Sequence, residues 1–129
     1  MNFELSEEQK MIQQSVERFV QDNYDLPTRV KLSSEGSGFS PEFWGSMAEL
    51  GWLGLPFEED EGGFGGNQID VIVIMEQFGR GLVLEPYLAN VVMAGGAIKR
   101  GGSKELKQEF LSGLIEGSKH LAFAYSEEQ

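Results

Sequence analysis

Apolar residues recur at helical spacing in five successive segments of this chain. Strand-like alternation is confined to its end, His120-Leu121-Ala122-Phe123-Ala124-Tyr125-Ser126-Glu127. A period near 3.6 buries one stripe of a helix, whereas a period of two buries one face of a strand. This order predicts an all-α fold, a compact orthogonal bundle of about five to six helices, with the start of a β-strand at the C-terminus. A strand opening there has no partner strand left in the sequence. The chain therefore reads as the front part of a larger protein, with residues 1–119 a helical domain and 120–129 a first strand or linker into a further domain.

The helix boundaries are written in capping residues. Ser6 is placed as an N-cap with Gln9 three residues on, a capping box, and Ile12, Val16, Phe19 and Val20 share one face of the helix that follows. Glu7 and Glu8 sit where the helix dipole favours negative charge. Residues 33–38, Ser-Ser-Glu-Gly-Ser-Gly, read as a flexible connection. Ser40, Pro41 and Glu42 then announce a second helix, with Phe43, Met47 and Leu50 expected on its buried face and Gly51 expected to stop it. In Ile69 to Met75 the Val and Ile residues favour a strand locally. Asn67 can cap and Gly79 can terminate, however, and the length between them predicts a helix. Asp70 and Gln77 would give it a narrow polar stripe, the pattern of a central, buried helix. A fourth helix runs from Glu85-Pro86 toward Ile98, through an Ala94-Gly95-Gly96-Ala97 stretch that costs helix propensity and permits close approach. Gly101-Gly102 breaks it, and Ser103 caps a fifth helix carrying Leu106, Phe110, Leu111 and Leu114.

Composition narrows function mainly by exclusion. With 10 basic against 21 acidic residues the formal charge is −11, the wrong sign for a nucleic-acid or anionic-membrane surface. There are no cysteines, which removes disulfides, thiolate catalysis and cysteine-ligated metals. Met1-Asn2-Phe3-Glu4 is no secretory signal, and the aliphatic run Val71 to Met75 is too short to span a bilayer. The expectation is a soluble, cytoplasmic protein. The loop Glu58-Glu59-Asp60-Glu61-Gly62-Gly63-Phe64-Gly65-Gly66 is followed by Asn67-Gln68, where a phosphate-binding loop needs Lys and Ser or Thr. It also lacks the ligand spacing of an EF-hand, so it reads as a solvated turn whose glycines let the backbone pack closely. His120 is the only histidine, which makes a metal site or a hydrolytic triad unexpected.

Four stretches, taken in order, resemble the N-terminal region of the acyl-CoA dehydrogenase family. They are Leu5-Ser6-Glu7-Glu8-Gln9, the turn Glu49-Leu50-Gly51-Trp52-Leu53-Gly54-Leu55-Pro56, the loop Gly62-Gly63-Phe64-Gly65-Gly66, and the late helices running into Phe123-Ala124-Tyr125-Ser126-Glu127. The resemblance implies a flavoprotein subunit with an N-terminal helical domain, a middle β-barrel and a C-terminal four-helix bundle. Such enzymes take a proton from the α-carbon of an acyl-CoA thioester while a hydride leaves the β-carbon for FAD. The base is a carboxylate of the C-terminal bundle, so no residue of this chain is assigned a catalytic role. The chain alone is expected to be inactive and not to retain FAD.

The family segment entering the barrel ends in Thr-Glu-Pro or Ser-Glu-Pro and meets the flavin ring, and Ser126-Glu127 match its first two positions. That makes Phe123, Tyr125 and Ser126 the cofactor-binding candidates. Glu128 stands where the family has proline, and Tyr125 is bulkier than the family's usual aliphatic residue. The acyl groove is floored by the late helices, which nominates Glu85, Ala89 and Met93. A small Ala89 and a flexible Met93 suit an apolar tail; Glu85 suits it only if its carboxylate points to solvent. The resemblance further implies an acyl-CoA substrate, an electron-accepting partner protein and a homo-oligomer, dimer or tetramer. An oxidase-type relative, a stand-alone helical interaction module and one subunit of a split flavoenzyme stand as alternatives.

Overall fold

A computed structural model of the chain describes residues 4–126, so Glu127 and Glu128 of the expected barrel entry lie outside the described residues. The helices are α1 (Glu7–Asn23), α2 (Leu26–Ser34), α3 (Pro41–Glu49), α4 (Gln68–Gly81), α5 (Gly96–Gly101) and α6 (Lys104–Ile115). A 3-10 turn spans Glu59–Glu61, and a π-helical stretch, Leu88–Gly95, runs straight into α5. Among the described residues there is no strand, and the fold class is all-α. The chain divides into two compact units, Met1–Ser40 with Gly66–Glu85, and Pro41–Gly65 with Pro86–Gln129.

The first unit is organised by α1 and α4. The capping box of α1 forms as the spacing predicts: Gln9 N–H donates to Ser6 Oγ (3.2 Å) and Ser6 N–H to Gln9 Oε1 (3.0 Å). Helix α4 opens on a second box, with Asn67 Oδ1 accepting from Ile69 N–H (2.7 Å) and Asn67 N–H donating to Asp70 Oδ2 (2.7 Å). A buried hydrogen bond of 2.9 Å from Gln9 Nε2 to Asp70 Oδ1 joins the two boxes. Farther along, a β-carbon on Gly81 would overlap Val20 Cγ1, and past both helix ends the Tyr24 hydroxyl donates to Glu85 Oε2. All three pairs are offset by 61 positions, so α1 and α4 run parallel and in register.

Helix α4 departs from its predicted form in two ways. Asp70 and Gln77 are buried together with Val73, Ile74 and Phe78, while Ile69 and Ile72 are exposed. It is thus not buried all round; Asp70 turns the polar stripe inward because its carboxylate serves both caps. Gly79 does not terminate the helix, which continues to Gly81 and closes at Leu82 in the left-handed region (φ 53°), with Val83 N–H bonded to Phe78 O (3.0 Å). The glycine at 81 is needed for contact with Val20, so the left-handed position falls one residue later. Helix α2 occupies part of the expected flexible connection. Asp25 Oδ1 accepts from Thr28 N–H (2.8 Å), Pro27 lies in its first turn, and Arg29 Nε donates to Leu82 O (2.9 Å). None of its residues is buried, which is why no apolar period marks it.

The second unit has its core around Trp44, Met47, Leu53, Phe57, Tyr87, Val91, Leu111 and Leu114. Gly51 stops α3 as expected, at φ 80°, with Trp52 N–H bonded to Met47 O (3.0 Å). The reversal carries Trp52 and Leu53 into the core and leaves Leu50 exposed, contrary to the expectation for Leu50. The glycine loop packs closely: a β-carbon on Gly63 would overlap the carbonyls of Phe57 and Gly54. Its acidic arm is only partly solvated, because Lys107 pairs with Glu61 (2.8 Å) and Lys99 with Glu58 (2.7 Å). The Tyr87 hydroxyl donates to Trp52 O (3.0 Å), and Gly95 leaves room for the Phe57 ring, which seats the π-helical stretch on this loop.

Candidate functional site

Along the π-helical stretch, burial comes in pairs. Asn90, Val91, Ala94 and Gly95 face the core, whereas Leu88 and Ala89 are exposed and Val92 and Met93 half-buried. Ala89 and Met93 therefore share an apolar face turned away from the core. Such irregular helical turns recur at functional sites, where the widened backbone re-aims side chains.

Asn90 is 1% exposed, and nothing in the apolar run around it marks it as more than a filler in the sequence. Its Oδ1 accepts from Leu121 N–H (2.9 Å), and its Nδ2 lies 3.0 Å from His120 Nδ1. With Oδ1 already facing an N–H, the amide nitrogen is the group turned to His120, and Nδ2 can only donate. His120 Nδ1 is then the acceptor, and the imidazole proton sits on Nε2. The ring also packs 5.3 Å from Trp44, so His120 is more than the surface or strand-edge residue its sequence suggests. One turn earlier Ser118 and Lys119 N–H both bond Gly113 O (2.9 Å each), and Lys119 Nζ reaches Glu109 O (2.7 Å). The segment leaving α6 is thus tied to the second unit through Leu121.

From Ala122 to Ser126 the backbone is exposed and carries no strand ladder; the described residues offer it no second strand. Phe123 and Tyr125 are two residues apart, and their rings stack at 6.2 Å with planes 16° apart. Ser126 follows, exposed. Two aromatic faces beside a hydroxyl suit a flat group with an apolar face and a polar edge, and a flavin ring has that character.

Glu85 belongs to the first unit and its carboxylate is not turned to solvent. It accepts from the Tyr24 hydroxyl and, at 3.1 Å, from Ser40 N–H, and Tyr24 in turn accepts from Leu84 N–H (3.3 Å). Burial pushes its carboxyl above the ordinary glutamate range, against the lowering effect of the backbone donors at Ser40, Glu85 and Leu84. The condition under which it would border an apolar tail is not met. No group of three or more metal-ligating side chains exists among the described residues, and none of their helices is long and apolar enough to cross a membrane.

The fold is an all-α domain whose last described segment carries two stacked aromatic rings and a hydroxyl. Residues 6–118 match the family model described as acyl-CoA dehydrogenase, N-terminal domain, and the chain belongs to that family. Over 125 residues it is 34% identical to the caffeyl-CoA reductase-Etf complex subunit CarC of Acetobacterium woodii, covering 95% of this chain and 32% of that one. The ChsE4-ChsE5 complex from Mycobacterium tuberculosis contains a chain that superposes with a TM-score of 0.87 at 27% identity, covering 95% of this chain and 34% of that one. An acyl-CoA dehydrogenase complexed with FAD from Bacillus anthracis gives 0.81 at 29% identity, covering 91% and 20%. The chain spans about a third of the length of the curated relatives it matches.

Proposed function

We propose that this chain is the N-terminal domain of a cytoplasmic, FAD-dependent acyl-CoA dehydrogenase, contributing part of the acyl-chain groove and part of the flavin wall. The observation that carries this reading is the exposed segment Phe123–Ser126, whose stacked rings and hydroxyl stand clear of the helical core. FAD, when bound, accepts the hydride released from the acyl β-carbon. Phe123 and Tyr125 exclude water from one side of the flavin, and the Ser126 hydroxyl offers a hydrogen bond to its polar edge. Ala89 and Met93 border the acyl tail.

The proton at the α-carbon is taken by a base outside this chain. The buried carboxylate of Glu85 is already occupied by Tyr24 and Ser40. Residues 1–119 then serve as the helical domain and 120–129 as its lead into the barrel, and the isolated chain has neither turnover nor bound flavin. Acyl-CoA and an electron-accepting protein are its partners in the complete enzyme, a dimer or tetramer. In the complete enzyme Ala89→Phe should shift preference to shorter acyl chains, read as kcat/KM across a CoA-ester series. Unchanged chain-length preference would count against the groove.

A further inference from the structure

The flavin reading leaves open what aims the exit segment, and one buried side chain stands behind it. We propose that Asn90 is the positioning residue of the flavin-facing segment: its single carboxamide holds two consecutive residues, His120 and Leu121, and so sets the register in which Phe123, Tyr125 and Ser126 leave the helical core. This proposal rests on the reading just given for those three residues.

The geometry is specific. Leu121 N–H is 2.9 Å from Asn90 Oδ1 and His120 Nδ1 is 3.0 Å from Asn90 Nδ2, so donor and acceptor ends of one amide are both engaged. A backbone N–H bonded to a buried side chain fixes the position of one residue. The second bond, to the preceding side chain, fixes the direction of approach. Phe123 and Tyr125 stack on each other, so a slip of one position at Leu121 would put their alanine and serine neighbours where these rings now stand. The Trp44 ring beside His120 narrows the choice further, since the imidazole must lie on it while offering Nδ1 to the amide. The side-chain hydrogen bonds of Asn90 go to His120 and Leu121, so it acts on the strip through the backbone at Leu121.

The first test uses the 129-residue chain and nuclear magnetic resonance. In the unmodified chain Leu121 N–H should exchange slowly, and the His120 nitrogen shifts should report the Nε2–H tautomer. Asn90→Ala should speed Leu121 exchange about tenfold, the loss of one part-buried hydrogen bond. Asn90→Asp keeps an acceptor for Leu121 but no donor for His120, so Leu121 protection should survive while the tautomer preference is lost. His120→Ala, at an exposed position outside the core, should leave Leu121 protected even if the Asn90 variants fold poorly. Fast Leu121 exchange in the unmodified chain would overturn the proposal outright.

The second test uses the flavin-loaded enzyme carrying this domain and reads the visible flavin spectrum and reduction potential. Asn90→Ala should move both in the same sense as Ser126→Ala. If Ser126→Ala moves them and Asn90→Ala does not, Asn90 does not position the segment. If neither variant moves them while Leu121 remains protected, the flavin reading fails and with it the positioning role.

Discussion

At the scale of single residues, Glu85 and Glu61 have opposite pH signatures. Burial raises the Glu85 carboxyl above its ordinary 4.5, so the folded state binds this proton more tightly than the unfolded chain does. Its contribution is complete below the ordinary value and is lost as pH rises through the raised one. Burial also pushes Glu61 upward, but the hydrogen bond from Lys107, the Glu58 N–H and the Lys107 and Lys99 charges outweigh it and hold that carboxyl low. Glu61 therefore stabilises above 4.5, and that stability is lost as pH falls through its lowered value. Denaturant unfolding at a series of pH values should show Glu85→Gln flattening a decline above pH 4.5, whose slope for one proton is at most about 1.4 kcal/mol per pH unit. Glu61→Gln should instead flatten the acid limb. A decline above that pH that persists unchanged in Glu85→Gln would reassign it to another group. Glu85 also shows where sequence runs out. A Glu ahead of Pro86 reads as a solvated first-turn residue, and only the distant Tyr24 hydroxyl and Ser40 N–H explain its burial.

At the scale of elements, the parallel pair α1 and α4 separates two glycines that look alike in sequence. Gly79 is exposed in the last turn of α4 with nothing within 4 Å of where an added methyl would sit, while Gly81 faces Val20. Gly79→Ala should stabilise the chain by about 0.5–1 kcal/mol, because alanine loses less backbone entropy on folding and needs no extra room. Gly81→Ala should destabilise it by about 1–3 kcal/mol, since Val20 is β-branched, stiff at χ1 and cannot swing aside without moving a helix. Thermal unfolding of the two variants measures both signs in one experiment. Equal effects would mean that the register of α1 on α4 is not held at that end. The cap residues of both helices were legible in sequence, Ser6 with Gln9 and Asn67, because a cap is a local device; that Asp70 closes a box with Asn67 was not, since it reads there as part of a polar stripe. The bond that joins them was not, since the Gln9 to Asp70 contact spans 61 residues and leaves no mark in either segment. Helix α2 was missed for the converse reason: it is held by a cap and Pro27, with no buried face to give it a period.

At the scale of the whole molecule, charge and apolar surface oppose each other. A formal charge of −11 on 129 residues favours separation of copies, while Ile69 and Ile72 on α4 are 52% and 62% exposed and one helical step apart. The family resemblance was legible because its motifs are caps, turns and glycine contacts that sequence order preserves. The fate of these two isoleucines was not, because their exposure follows from Asp70 and Gln77 taking the inward face. Screening should decide the balance. The Debye length falls from about 30 Å at 0.01 M salt to about 3 Å at 1 M, which weakens repulsion between copies without weakening apolar contact. Sedimentation velocity of the chain should therefore show self-association that grows with salt, and Ile72→Lys should reduce it at every salt concentration. Association that instead weakens as salt rises would assign the contact to opposite charges, with Lys and Arg of one copy meeting the acidic surface of the next.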